Sequence, residues 1–371
     1  MIETAPIVAA LPASTPFVGP ETLARRIGRT SLVRLGANES AFGPSPRALA
    51  AMHRALADVS YYGDPEALDL RVALATKHGC AVDEIAIGAG IDDLLGLLVR
   101  AYLAPGDVTV AARGSYPTYV YHVHGYGAHL ETVDYAPGGT VALEALAARA
   151  RATHARVVYL ANPDNPSGTF AARERVEAFV HALPPDTLLV LDEAYADFVE
   201  SQALVRDGVH ASVARTRTFS KAYGMAGARI AYAIAPRDVV ATLDKVRHHF
   251  GANRIAQAGA LASLQDDGFV ATVVGEVARG RDAYVALARS VGCRTIASHT
   301  NFVCIDLGTL ARAEAMVEAL LERGIFVRKP GLPPLDGHIR VTVGTEADRR
   351  AFGDAFVEAL GEMGPNVHRP T

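Results

Sequence analysis

The sequence predicts an α/β fold built on a mostly parallel sheet, with a smaller α+β lobe beside it. Between residues 85 and 234, short apolar runs alternate with helical patterns, which is typical of a sheet covered by helices on both faces. From about residue 237 the chain is first helical and then mixes strands with helices, as a separate lobe would. A length of 371 residues also exceeds what one hydrophobic core usually supports, so we expect two lobes.

The first 34 residues are expected to form an arm. Prolines at 6, 12, 16 and 20 precede a short helical pattern, ETLARRIG, and proline at that density favours extended chain. Arms of this kind commonly lie on a partner subunit. An apolar run at 7–11 has no basic region before it, so no signal peptide is expected.

We expect a large domain at 58–250 and a small domain made of 35–57 and 251–371. The predicted strands of the large domain are EIAIGAGI, DVTVAA, HLETVDY, RVVYLAN, TLLVLDEAY, TRTF and RIAYAI. Helices are predicted between them near 91–103, 115–126, 141–152 and 171–182, and a further one at 236–249. The other predicted helices are 47–57, 65–76, 253–265, 269–291, 311–323 and 346–361, and the predicted small-domain strands are SHTNFVCIDL, GIFVRK and HIRVTV.

Composition excludes several classes of protein. A net charge of −4 without a basic block argues against a nucleic-acid partner. No stretch approaches the ~20 apolar residues of a membrane span. Cys80, Cys293 and Cys304 show no CxxC spacing, so neither a disulfide framework nor a zinc site is expected, and a reducing cytoplasm fits. His122 and His124 lack a third ligand nearby, and we expect no metal.

The stretch TRTFSKAYGMAGARIAY, residues 216–232, delivers Lys221 to the end of a predicted strand. An amine there can form a Schiff base with a carbonyl, provided that its surroundings lower its pKa. Gly224 and Gly227 allow a close backbone approach, and Arg229 adds a fixed cation. A solvated surface lysine is the alternative, and other segments must decide between the two.

Other predicted strands also end in residues that suit one ligand. The turn that ends at Gly90 opens a helix, and free N–H groups at a helix N-terminus favour a phosphate. This turn is not a dinucleotide fingerprint, because Asp93 stands where the third glycine should be. Asp192 ends a strand so apolar that its carboxylate needs a cation or hydrogen bonds. Because ligand sites in such sheets lie at the carboxyl ends of the strands, these residues are expected to meet.

In order along the chain, LGANESAFGP, YYGDPEALDLR, NPDNPSGT, DEAYADF, TFSKAYGMAGARIAY, NFV and RVTVGT resemble the pyridoxal-phosphate-dependent aminotransferases of fold type I, nearest the histidinol-phosphate aminotransferase branch. The segments cover nearly the whole chain and are specific jointly. The resemblance implies pyridoxal 5'-phosphate as cofactor and a seven-stranded sheet in the large domain. It also implies a cytoplasmic homodimer that exchanges an amino group between an amino acid or histidinol phosphate and a 2-oxo acid, in amino-acid and specifically histidine biosynthesis.

The resemblance also implies roles for single residues. Lys221 resembles the Schiff-base lysine, and Asp192 the carboxylate that faces the pyridine nitrogen. Asn165 and Tyr195 resemble the pair that binds the phenolic oxygen, and Tyr119 the aromatic that stacks on the ring. The residues that resemble the phosphate site are Gly90, Ile91, Asp92, Ser220 and Arg229, with Tyr62 from the other subunit.

On the substrate side, Arg340 resembles the carboxylate clamp, and Arg328 the arginine that helps hold a phosphate or distal carboxylate. Asn38 is assigned to the same side. The family commonly has tyrosine where this chain has Phe17, a loss of one polar contact that favours a more apolar substrate end.

Three alternatives remain open at this stage. The chain could act on an aromatic or other apolar amino acid. An amino-acid-phosphate decarboxylase shares much of the framework and differs in releasing carbon dioxide. A non-catalytic regulator with this fold would carry an appended DNA-binding domain, for which the ~35 residues before the core are too few.

Overall fold

The computed structural model describes residues 2–12, 17–205 and 210–364. Its strands are β1 (Val33–Arg34), β2 (Ile85–Gly88), β3 (Val108–Ala112), β4 (His129–Val133), β5 (Val157–Ala161), β6 (Leu188–Asp192), β7 (Val213–Thr218), β8 (Ala231–Ile234), β9 (Arg294–Thr295), β10 (Phe302–Asp306), β11 (Ile325–Phe326) and β12 (His338–Thr342). Its α-helices are α1 (Pro6–Ala9), α2 (Pro20–Arg26), α3 (Pro46–Ala55), α4 (Leu68–His78), α5 (Ile91–Tyr102), α6 (Pro117–Gly125), α7 (Leu143–Thr153), α8 (Arg173–Ala182), α9 (Arg237–Asp244), α10 (Arg254–Ser263), α11 (Asp267–Ser290), α12 (Leu310–Glu322) and α13 (Glu346–Glu362).

The central sheet contains seven strands within the described residues, in the order β2-β8-β7-β6-β5-β3-β4. β8 runs antiparallel to β2 and β7, and the remaining neighbours are parallel. Every residue of β5 and β6 is buried, as expected for strands covered on both faces. The α/β fold with a mostly parallel seven-stranded sheet is therefore confirmed.

Helices cover the sheet on both faces because each face presents apolar side chains. One buried cluster joins the apolar side of α5 to the sheet, and a second joins α7 and α8 to the opposite face. The parallel strands β5, β6 and β7 consequently end at one edge, where the following loops can meet around a ligand.

A second set of elements forms the smaller lobe. β10 pairs antiparallel with β9 and β12, and α11, α12 and α13 close a core around Phe302, Phe352 and Phe356. β1 pairs in parallel with β11, which brings the chain after residue 34 alongside β12. The domain boundaries given above stay a prediction.

Three predicted elements differ from the structure. The helix predicted at 65–76 begins only at Leu68, after a turn held by the Asp64 side chain. The helix predicted at 236–249 ends at Asp244, because Lys245 and Val246 donate to carbonyls three residues back and tighten the turn. Beyond it, Arg247 Nη1 donates to the Pro65 carbonyl at 2.9 Å. In the N-terminal segment, the described residues include the short helix α1 in addition to the predicted α2. Among the described residues, no helix has the length and apolarity needed to cross a bilayer.

Candidate active site

Lys221 follows β7 and projects between the two lobes. Its Nζ donates to the backbone carbonyl of Asn38 at 2.9 Å and lies 5.6 Å from the centre of the Tyr195 ring. Burial, together with the positive charge of Arg340, lowers the pKa of Lys221 to about 8. The amine is therefore far more often neutral near physiological pH than a solvated lysine, which excludes the surface-lysine alternative.

Asp192 ends β6 and is only 5% exposed. Its Oδ2 accepts a hydrogen bond from the Tyr159 hydroxyl at 2.7 Å, and its Oδ1 accepts one from the Ala194 N–H at 3.0 Å. Burial raises the pKa of Asp192 to about 6, while these two hydrogen bonds oppose the rise. The carboxylate thus meets its need for partners through hydrogen bonds and keeps an unusual affinity for a proton or a cation.

The turn before α5 forms a cradle. Gly90 has a positive φ of 94°, and a Cβ built on it would lie 2.2 Å from Nη2 of Arg229. Only glycine therefore leaves room for this guanidinium beside the first turn of α5, where N–H groups without a partner inside the helix favour an anion. Nη2 of Arg229 also lies 3.6 Å from the Asp92 carboxylate. Ser220, the residue before Lys221, is buried. Its hydroxyl accepts a hydrogen bond from the hydroxyl of Thr218.

Tyr195, Asn165 and Arg340 approach from the opposite side of the cleft. The Tyr195 hydroxyl accepts a hydrogen bond from Asn38 Nδ2 at 2.8 Å, so its own proton can be donated to a ligand. Arg340 Nη1 donates to Asn165 Oδ1 at 2.5 Å, and its Nη2 donates to the Gly36 carbonyl at 3.2 Å. The structure brings these three residues together as the sequence predicted, although their roles toward a ligand stay a prediction.

Tyr119, to which the sequence analysis assigned the stacking role, packs inside the core beside β5. It is 1% exposed, its ring stacks on Tyr159 with centroids 4.4 Å apart, and its hydroxyl lies 2.5 Å from that of Thr109. Its role toward a ligand stays a prediction. Tyr116, which sequence reasoning missed, is half-buried and donates to Asp92 Oδ1 at 2.7 Å, beside the cradle. The available signal was its position immediately before Pro117, at the N-cap of α6.

Arg328 and Phe17 meet within one chain, whereas the arm was expected on a partner. The Arg328 guanidinium lies 4.9 Å from the centre of the Phe17 ring and 5.4 Å from that of Phe326. Its Nη2 donates to the Val18 carbonyl at 3.1 Å. Burial and the charge of Arg340 lower the pKa of Arg328, so two guanidinium groups share this part of the cleft. Such a region attracts an anionic substrate.

Tyr62 lies away from this chain's own cleft. It is 76% exposed, and its ring stacks on Phe250 with centroids 4.4 Å apart. His122 Nε2 lies 2.9 Å from the Asp92 carbonyl. Within residues 2–12, 17–205 and 210–364, no group of three or more potential metal ligands occurs.

Comparison with known proteins places this arrangement in context. The family model described as aminotransferase class I and II matches residues 30–356. A histidinol-phosphate aminotransferase of Symbiobacterium thermophilum is 39% identical over 346 residues, which cover 92% of this chain and 94% of that protein. A histidinol-phosphate aminotransferase of Roseiflexus castenholzii is 37% identical, with 96% of this chain and 97% of that protein covered.

Among solved structures, the chain resembles a histidinol-phosphate aminotransferase of Sinorhizobium meliloti in complex with pyridoxal-5'-phosphate. The two share 42% identity and a TM-score of 0.95, with 98% of this chain and 99% of that chain covered. An aspartate aminotransferase of Thermus thermophilus, solved with maleate, shares 24% identity and a TM-score of 0.80, which shows the common fold.

Proposed function

Because the chain belongs to the class I and II aminotransferase family, we propose that it is a pyridoxal-phosphate-dependent transaminase with histidinol phosphate as its leading substrate and a 2-oxo acid, 2-oxoglutarate first, as amino acceptor. The observation that carries the proposal is the pair formed by Lys221 and Asp192. They follow neighbouring parallel strands, and burial shifts both pKa values toward the neutral forms.

The residues present fit the cofactor. The cradle at Gly90, which a Cβ would fill, leaves N–H donors and the Arg229 guanidinium for a phosphate, with Ser220 beside them. Tyr116 offers a ring beside this cradle, and the Tyr195 hydroxyl offers a proton to a phenolic oxygen. When bound, pyridoxal phosphate accepts the electron pair left when a substrate loses its α-proton.

Lys221 has two roles in this account. Its neutral amine would be the group that condenses with the cofactor's aldehyde, with release of water. When it is not bound to the cofactor, Nζ would be a base in the site, able to take the substrate's α-proton and to return it. A pKa of about 8 suits both roles, because a useful fraction of the amine is then neutral near pH 7.

Asp192 and Arg340 would each bind one charged group, Asp192 on the cofactor and Arg340 on the substrate. Asp192 would keep the cofactor's pyridine nitrogen protonated, because its buried carboxylate would accept a charge-assisted hydrogen bond from that nitrogen. Arg340 is oriented by Asn165 and Gly36, so its planar guanidinium presents a fixed edge to an anionic substrate group. Fixing that group orients the substrate above Lys221 and reduces the entropic part of the barrier.

At the distal end, Arg328 would bind the substrate's phosphate or a second carboxylate. Its contact with Phe17 leaves an aromatic ring where a hydroxyl would help a dianion. An aromatic amino acid is therefore the second candidate substrate, and the observation that favours it is this apolar cap.

A homodimer would complete the site. Tyr62 and Phe250 form an exposed aromatic pair, unusual for a surface open to water, and the exposed Tyr61 and Val59 adjoin it in sequence. A second copy that buries this patch would bring Tyr62 toward the partner's phosphate cradle. Cytoplasmic localisation is supported by the cysteine content, which is three residues without CxxC spacing.

Amino transfer is tested by incubating the holoprotein with histidinol phosphate and 2-oxoglutarate. We expect glutamate and keto product in equal amounts, no carbon dioxide, and no turnover by Lys221→Ala. Release of carbon dioxide would identify a decarboxylase instead. Faster turnover of phenylalanine than of histidinol phosphate would favour the aromatic substrate, and ligand binding without turnover of any of these would favour a non-catalytic regulator.

A further inference from the structure

Asn38 uses all four of its backbone and side-chain polar groups inside the structure. It is 3% exposed and has a positive φ of 55°, a conformation that asparagine tolerates better than most residues. Its carbonyl accepts from Lys221 Nζ, and its Nδ2 donates to the Tyr195 hydroxyl. The two catalytic side chains are thus joined through one buried residue.

The remaining two groups of Asn38 are bound by one hydroxyl. The Asn38 N–H donates to Thr342 Oγ1 at 3.0 Å, and Thr342 Oγ1 donates to Asn38 Oδ1 at 3.1 Å. Thr342 is 1% exposed, and its N–H donates to the Leu35 carbonyl at 2.8 Å. It ends β12 and lies two residues after Arg340, so both side chains project from the same face of the strand.

A second residue steadies the same carbonyl. Asn301 Nδ2 donates to the Asn38 carbonyl at 3.1 Å and lies 3.3 Å from that of Glu39. The Asn38 carbonyl, which accepts a hydrogen bond from Lys221, is therefore held in place in two ways. Asn301 binds the carbonyl directly, and Thr342 binds the N–H and the side chain of Asn38.

We propose that Thr342 is a positioning residue that, through Asn38, holds the acceptor of the Lys221 amine and the hydroxyl of Tyr195 in place. Its own side chain contacts Asn38 and reaches neither Lys221 nor Tyr195 directly. The inference rests on the proposed roles of those two residues, but its test requires neither cofactor nor turnover. Under this proposal β12 carries two functional residues, Arg340 and Thr342.

The hydrogen bond to the Asn38 carbonyl stabilises the ammonium form of Lys221 more than the neutral amine. Loosening Asn38 should therefore lower the pKa of the amine below its value of about 8. The other groups around Nζ do not change when Thr342 is replaced. They are Arg340 and Arg229, which lower the pKa of Lys221, Asp92 and Glu39, which raise it, and the neighbouring Asp192 and Tyr195.

The experiment measures the reactivity of Lys221 in the full-length, cofactor-free chain. The chain has lysines at 77, 221, 245 and 329, so reductive methylation with formaldehyde, followed by peptide mass mapping, can be read for each lysine separately. Thr342→Val keeps the shape of the side chain and removes the hydroxyl, and Thr342→Ser is the matched control that keeps it. Lys245 serves as the reference in every sample.

We expect Thr342→Val to move the pH midpoint of Lys221 methylation down by about one unit, with Lys245 unchanged. Thr342→Ser should keep the wild-type midpoint. Asn38→Gly tolerates the positive φ, loses both side-chain contacts, and should move the midpoint in the same direction even if Thr342→Val folds poorly. Wild-type midpoints in Thr342→Val, or in Asn38→Gly where the valine variant does not fold, would overturn the proposal. Failure of the proposed function would instead appear as absent amino transfer by the wild type.

Discussion

The hydroxyl of Tyr159 donates a hydrogen bond of 2.7 Å to Oδ2 of Asp192, and both side chains are buried at the end of the central sheet. The ring of Tyr159 is held in turn by stacking on Tyr119. A layer of two tyrosines therefore orients the carboxylate from within the core. The stack also places Tyr119 one side chain away from the carboxylate.

Asp192→Asn should be more stable than the wild type without cofactor, yet lose most activity with it. The folded pKa of Asp192, about 6, lies above its ordinary value of 3.8, so the folded state binds more protons between these values. The wild type then loses stability through this group as pH rises through that window, and asparagine does not. The difference in unfolding free energy should grow from about 0.5 kcal/mol at pH 4 to about 3 kcal/mol above pH 7.

Urea unfolding of the two cofactor-free proteins at pH 4.5 and pH 8 provides the measurement. A gap that does not depend on pH would mean that the carboxylate is not strained by burial. Near wild-type turnover by Asp192→Asn would show that it does not hold the proton on the pyridine nitrogen.

Tyr116→Ala and Tyr119→Ala should differ in their effects on folding stability and on cofactor affinity. Truncating Tyr119, which is 1% exposed, should cost about 3 to 5 kcal/mol of stability. Truncating the half-buried Tyr116 should cost less stability and weaken cofactor binding. Urea unfolding and fluorescence titration with pyridoxal phosphate measure the two effects. Weaker cofactor binding in a folded Tyr119→Leu, with unchanged binding in Tyr116→Ala, would assign the stacking role to Tyr119.

Phe17→Tyr should raise the specificity constant for histidinol phosphate relative to phenylalanine by about tenfold. The new ring keeps the stacking on Arg328, and its hydroxyl adds one donor for a dianion. Phe17→Leu, which removes the ring, is the matched control and should show no such gain. Steady-state kinetics with both substrates measure the ratio. An unchanged ratio in Phe17→Tyr would mean that the arm does not contact the substrate's distal group.

The sequence was most informative where an apolar run that predicts a strand is followed directly by polar residues. The seven strands and the meeting of Lys221, Asp192 and the Gly90 turn follow from a rule about parallel sheets, because apolar runs and their polar ends are local features. The resemblance to one family supplied roles that spacing alone leaves open. The end of α9 was missed because a tightened last turn leaves no strong local signal.

The contacts that were missed join residues distant in sequence. Asn38 meets Thr342, 304 positions away, and Phe17 meets Arg328 through the path of the arm. Which of two tyrosines three residues apart faces a ligand depends on how α6 packs against the sheet. Burial of this kind emerges from tertiary structure, and the pattern around Pro117 is compatible with either tyrosine.

The central claim, that Lys221 carries the cofactor, is tested most directly by borohydride reduction of the holoprotein followed by peptide mapping. We expect the pyridoxyl label on the peptide that contains Lys221, and no covalent label in Lys221→Ala, which should still bind the cofactor noncovalently. A label on Lys245 or Lys329 in the wild type, or covalent labelling that survives Lys221→Ala, would contradict the account.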